Sequence, residues 1–95
     1  MKKNELNSLR KFTSRLQGHP DKKKLKLLDF GTGALGQGLS VSIGYSLSSR
    51  LLNKKNFIFC VLGDGELQEG QVWEAAMYIG ANNIRNIITF IDGNK

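Results

Sequence analysis

Cysteine, proline, histidine, acidic residues and long apolar runs are all scarce in this chain. Its 95 residues hold one of each of the first three. A single cysteine, Cys60, excludes an internal disulfide, and its place inside an apolar run predicts a buried, inert thiol. No stretch approaches the roughly 20 apolar residues that span a bilayer. Met1-Lys2-Lys3 is basic, but no apolar segment follows, so the start does not read as a signal peptide. Acid is outnumbered, with 14 Lys/Arg against 8 Asp/Glu and a net charge of +6. The excess is lopsided: residues 1–55 carry 12 Lys/Arg and 3 Asp/Glu, whereas residues 56–95 carry 2 and 5. Lys22-Lys23-Lys24 with Lys26 is the densest basic cluster. No aromatics interleave with it as a base-stacking platform requires, so it reads as a solvated loop. The expectation is a cytoplasmic chain of one small domain at most, binding neither membrane nor nucleic acid.

What is present is periodic. Leu6, Leu9, Phe12 and Leu16 fall near helical spacing and predict an amphipathic helix over 4–17, ended by Gly18-His19-Pro20. Residues 21–34 read as an irregular, mostly extended connection. Leu39, Ile43, Leu47 and Leu51 predict a helix over about 36–53, with Gly36 and Gly44 allowing a neighbour to approach closely. Phe57–Leu62 and Ile87–Ile91 are apolar runs without polar alternation, which predicts strands buried on both faces. Val72, Ala75, Ala76 and Ile79 mark a helix over roughly 68–82 between them. Strand, helix, strand in this order is a βαβ unit with parallel strands. The fold class is therefore α/β, with part of a parallel sheet flanked by helices.

Both apolar runs end in chemistry. The first closes in Gly63-Asp64-Gly65 and the second in Asp92-Gly93-Asn94, so an Asp and an Asn stand at two strand ends, 30 positions apart. In a parallel sheet the ligand crevice lies at those carboxyl ends. Two hard oxygen donors beside glycines suit a divalent cation that carries a diphosphate, since Mg²⁺ takes few protein ligands together with phosphate oxygens. The bland alternative for Asp64 is a cap on the following helix. Gly31-Thr32-Gly33-Ala34-Leu35-Gly36 also matches G-x-G-x-x-G, which keeps a nicotinamide-dinucleotide module in play. The segment before it, Leu25–Phe30, is a weak strand candidate interrupted by Lys26 and Asp29.

Three stretches in order carry a family resemblance: Ser14-Arg15-Leu16-Gln17-Gly18-His19-Pro20, Thr32 through Ser40, and Gly63 through Ala75, completed by Asn86-Ile87-Ile88 and Asp92-Gly93-Asn94. Together they resemble the transketolase family of thiamine-diphosphate enzymes, most nearly part of the amino-terminal section of a split transketolase. The resemblance implies thiamine diphosphate and Mg²⁺ (or Ca²⁺) as cofactors, and transfer of a two-carbon ketol unit between sugar phosphates. It implies that Asp64 and Asn94 ligate the metal and that Gly63 and Gly65 let backbone N–H groups approach the diphosphate. Gly33 and Leu35 match positions that touch the aminopyrimidine ring. His19 matches a histidine that contacts substrate hydroxyls, and Glu69 and Glu74 match a proton-relay network at a subunit interface. The family's third metal ligand is a backbone carbonyl two residues beyond the Asn, past Lys95. Many members have Pro at Ala34 and Thr or Ser at Gly31. Trp73 and Tyr78 read as core or interface packing, and Glu66 as a loop carboxylate without a role. The resemblance further implies a carboxy-terminal section or subunit as partner, an oligomer, and no activity for these residues alone. A noncatalytic remnant that keeps the fold is the other reading.

Overall fold

The structure, a computed structural model, describes residues 2–94 and divides into two compact units, Met1–Gly33 and Ala34–Lys95.

The first unit is built from turns. A 3-10 helix covers Lys3–Ser8, and the predicted helix over 4–17 goes no further. Local side-chain bonds win over the helical pattern. Ser8 Oγ donates to the Glu5 carbonyl at 2.7 Å, the Ser8 and Ser14 hydroxyls meet at 2.8 Å, and Ser14 Oγ accepts from Leu16 N–H. Serine competes with the helical backbone in this way. Arg10 adopts φ 62°, and its N–H closes a loop onto the Leu16 carbonyl at 2.8 Å. Leu16 is consequently buried while Phe12 is fully exposed. Arg15 pairs with Glu5 and holds its carboxyl below the usual range. Further on, Thr32 N–H donates to the Pro20 carbonyl, and the Asp21 carboxylate accepts from Lys23 N–H, so the irregular connection folds back on itself.

The second unit carries the regular elements: helix α1 (Gln37–Leu51), strand β1 (Ile58–Gly63), helix α2 (Gly70–Ala81) and strand β2 (Ile87–Asp92). A 3-10 turn, Gly65–Gln68, links β1 to α2. β1 and β2 pair in parallel, from Ile58 opposite Ile87 to Gly63 opposite Asp92. The α1 face toward the sheet is Leu39, Ser42, Ile43, Ser46 and Ser49. Ser42 Oγ donates to the Gly38 carbonyl one turn back, and Ser46 Oγ donates to the side-chain oxygen of Asn86, 40 positions on. Asn86 Nδ2 also donates to the Asn56 carbonyl, which fixes where the two strands begin. Leu39, Ile43, Cys60, Leu62, Val72 and Ala75 form the core.

Both helices supply that core against the Cys60/Leu62 face of the sheet. The opposite face, with Phe59, Val61 and Phe90, stays exposed, and the Phe59 and Phe90 rings stack at 6.4 Å. Burial on both strand faces, expected from the unbroken apolar runs, is thus found on one face of β1 and on neither face of most of β2. Gly36 does sit in close packing, whereas Gly44 faces open space.

Candidate functional site at the carboxyl ends of the strands

The parallel register sets Gly63 opposite Asp92, so Asp64 and the Gly93-Asn94 pair leave the sheet at the same end. Asp64 N–H continues the ladder to the Asp92 carbonyl at 3.0 Å. The Asp64 side chain is exposed and accepts from Gly65 N–H at 2.8 Å, capping the 3-10 turn. Asp64 thus caps the short turn and not the following helix α2, whose N-cap residue is Glu69. Asn94 is exposed. Among the described residues, no group of three or more His, Cys, Asp and Glu is placed to hold a metal. Asp64 and Asn94 offer hard oxygen donors, a set that fits a cation completed by phosphate oxygens and water. A Cβ on Gly63 or Gly65 would meet nothing within 4 Å, so the strand tip leaves room for a bulky anion. The Gly63 N–H is taken by Glu66 Oε2 at 3.1 Å, and the Gly65 N–H by Asp64.

The other predicted residues fall in two groups. His19 and Gly33 meet in the first unit, where a Cβ on Gly33 would come within 3.1 Å of the His19 ring. His19 is exposed and lines a cleft of about 460 Å³ with Gln17, Asp21, Lys24 and Thr32. In the second unit Leu35 is exposed and its carbonyl accepts from Gln71 Nε2 at 2.9 Å. Glu69 is the N-cap residue of α2 without a side-chain capping bond, and Glu74 lies exposed on the helix. Trp73 and Tyr78 are exposed as well, Trp73 donating to the Leu67 carbonyl, so core packing is not their role in this unit.

Glu66 is the residue that sequence reasoning passed over. Its carboxylate accepts from Gly36 N–H at 2.6 Å and from Gly63 N–H at 3.1 Å. The three-residue reach back to Gly63 is not a capping box, because the N-cap of this turn is Asp64 and Gly63 precedes it, so no sequence signal announced the contact. Burial pushes the Cys60 thiol up, with the Glu66 charge adding to the effect and a Ser42 hydrogen bond opposing it.

A cleft of about 440 Å³ at the amino ends of the strands is lined by Arg50, Lys54, Lys55 and Arg85. Of these, Arg50 lies in the last turn of α1, where a cation complements the partial negative charge of the helix carboxyl end. None of the predicted site residues lines it.

The G-x-G-x-x-G reading fails on geometry. No strand precedes Gly31 among the described residues, whereas a dinucleotide fingerprint needs strand, turn and helix in succession.

The transketolase of Campylobacter jejuni subsp. jejuni has the same fold over 96% of this chain and 15% of its own, with a TM-score of 0.79 and 31% identity. Together with the parallel pair and its flanking helices, this defines a partial α/β, thiamine-diphosphate-binding fold. Residues 1–95 match the family described as transketolase, thiamine diphosphate binding domain, and the chain belongs to that family. It is 41% identical over 92 residues to the transketolase of Pongo abelii, covering 96% of this chain and 15% of that protein. It is 39% identical over 90 residues to the 6-deoxy-6-sulfo-D-fructose transketolase subunit SqwG of Clostridium sp. (strain MSTE9), covering 95% of this chain and 33% of that subunit. The chain thus spans between about one seventh and one third of the length of these relatives.

Proposed function

We propose that the chain is part of the diphosphate-binding domain of a cytoplasmic, metal-dependent transketolase that moves a two-carbon ketol unit from a ketose phosphate to an aldose phosphate. The observation that carries this reading is the family match over the whole chain, joined to an exposed Asp64 and Asn94 at the carboxyl ends of parallel strands. Thiamine diphosphate, when bound, supplies the electron sink that makes breaking the ketose carbon–carbon bond possible. The chain's own residues bind and orient. Asp64 through a carboxylate oxygen and Asn94 through its amide oxygen would hold Mg²⁺ or Ca²⁺ against the diphosphate. Gly63 and Gly65 leave the space it needs. Gly33 and Leu35 would contact the aminopyrimidine ring, Leu35 with an apolar surface. His19, whose ring is exposed beside a cleft, would hydrogen-bond substrate hydroxyls. Glu69 and Glu74, both exposed, suit a partner subunit's surface and a shared proton network.

The remaining catalytic groups belong to a carboxy-terminal section or subunit, so these 95 residues alone have no turnover and act within a homo- or hetero-oligomer. A steady-state ketol-transfer assay tests this. No turnover is expected from the chain alone, and turnover once the carboxy-terminal section is supplied. Activity of the isolated chain, or none in the assembled protein, would refute it. One second reading has a specific support: the similarity to SqwG, whose substrate carries a sulfonate. A sulfo-sugar donor arm in the same assay separates it from a sugar-phosphate enzyme.

A further inference from the structure

We infer that Glu66 is a positioning residue that sets the distance between the part of the site that receives the cofactor ring and the part that receives its diphosphate and metal. This rests on the functional reading above and goes beyond it, because that reading gives Glu66 no task. The two halves of the cofactor site come from separate stretches of chain. Leu35, on the ring side, precedes α1, and Asp64, on the metal side, follows β1. One carboxylate joins them. Glu66 Oε1 accepts from Gly36 N–H at 2.6 Å, one residue from Leu35. Glu66 Oε2 accepts from Gly63 N–H at 3.1 Å, one residue from Asp64.

Several features define the joint. A carboxylate accepting two N–H bonds makes charge-assisted bonds, about twice as strong as neutral ones. Gly36 is at φ 82°, a left-handed conformation that only glycine adopts at little cost. A Cβ on it would come within 2.8–2.9 Å of Gln71 and Glu69 side-chain atoms, so the turn is pressed against the start of α2. Gln71 Nε2 adds a second latch to the Leu35 carbonyl. The 65–71 segment therefore holds the Leu35-Gly36 turn from several directions, and Glu66 also reaches the tip of β1. Gly63 N–H, like Gly36 N–H, finds its acceptor in this side chain, so losing the carboxylate strands two donors at once.

Glu66→Gln tests the inference with little change in shape. A carboxamide has one acceptor oxygen, and its NH₂ end would face a second N–H donor. The first measurement is amide hydrogen exchange in the full chain without cofactor. Exchange at Gly36 or Gly63 is expected to quicken about tenfold, the lower range for a lost charge-assisted bond, with β1 core amides unchanged. The second is thiamine diphosphate and Mg²⁺ titration of the chain assembled with its carboxy-terminal section. The variant's half-saturating cofactor concentration is expected to rise about tenfold, with kcat at saturating cofactor within about twofold of the parent. A purely structural residue would lower the amount of folded protein without that split. Unchanged exchange at both glycines overturns the joint. Changed exchange with unchanged cofactor affinity overturns its positioning role. If the parent protein itself binds no thiamine diphosphate, the functional reading fails and the positioning role falls with it, a result distinguishable because it appears before any substitution.

Discussion

At the residue scale, the chemistry divides between side chains whose type announces them and one whose type does not. Asp64 and Asn94, the metal ligands proposed above, stand out in the sequence because oxygen donors close two apolar runs, although Asp64 also caps a turn. Glu66 is hidden because carboxylates in loops are common and its partners are backbone groups, one of them 30 positions away. Its charge has a measurable consequence at Cys60. That thiol is buried, which disfavours the thiolate, and Glu66 adds like-charge repulsion against it. Cys60 should therefore react slowly with a thiol reagent at neutral pH, and its titration should move down in Glu66→Gln. A cysteine as reactive as a free thiol in the folded protein would contradict this. The sign for stability follows. The folded-state value lies above the unfolded one, so the Cys60 contribution is intact below the ordinary thiol value of 9.0 and is lost as pH rises past the raised value.

At the element scale, regular structure was readable wherever one face of an element buries against another. Leu39 and Ile43 are core residues of α1, and the unbroken runs containing Cys60 and Leu62 or Ile87 are strands in parallel register. Where burial does not decide, the pattern misled. Leu6, Leu9 and Phe12 keep helical spacing but stay exposed, and serine hydroxyls and the left-handed Arg10 set the local path instead. The exposed Phe59, Val61 and Phe90 have a related cause. An apolar run reports that a strand can be buried on two faces, yet here α1 and α2 cover the same one. The covered face makes a quantitative demand. Leu62 is 2% exposed at the centre of the core. Leu62→Ala should cost about 2–5 kcal/mol, the range for emptying a buried leucine site. Against a typical total of about 5–15 kcal/mol, urea unfolding should show a markedly lower midpoint with a similar slope. A midpoint shift within error would mean that Leu62 does not anchor the unit.

At the scale of the whole molecule, the family membership shows which kind of domain these residues build, while their share of the relatives' length bounds what they do alone. Two strands and two helices bring Asp64 and Asn94 to one end of a sheet, and Glu66 ties the Leu35-Gly36 turn to the tip of β1 there. The most direct test of the account is calorimetric titration of thiamine diphosphate into the chain assembled with its carboxy-terminal section, with and without Mg²⁺, for the parent protein and for Asp64→Ala. The account predicts metal-dependent binding in the parent. In the variant it predicts an affinity lower by at least about tenfold, since losing even an outer partner of a metal ligand costs about 10–100-fold. Binding that ignores Mg²⁺, or an Asp64→Ala protein that binds as tightly as the parent, would contradict it.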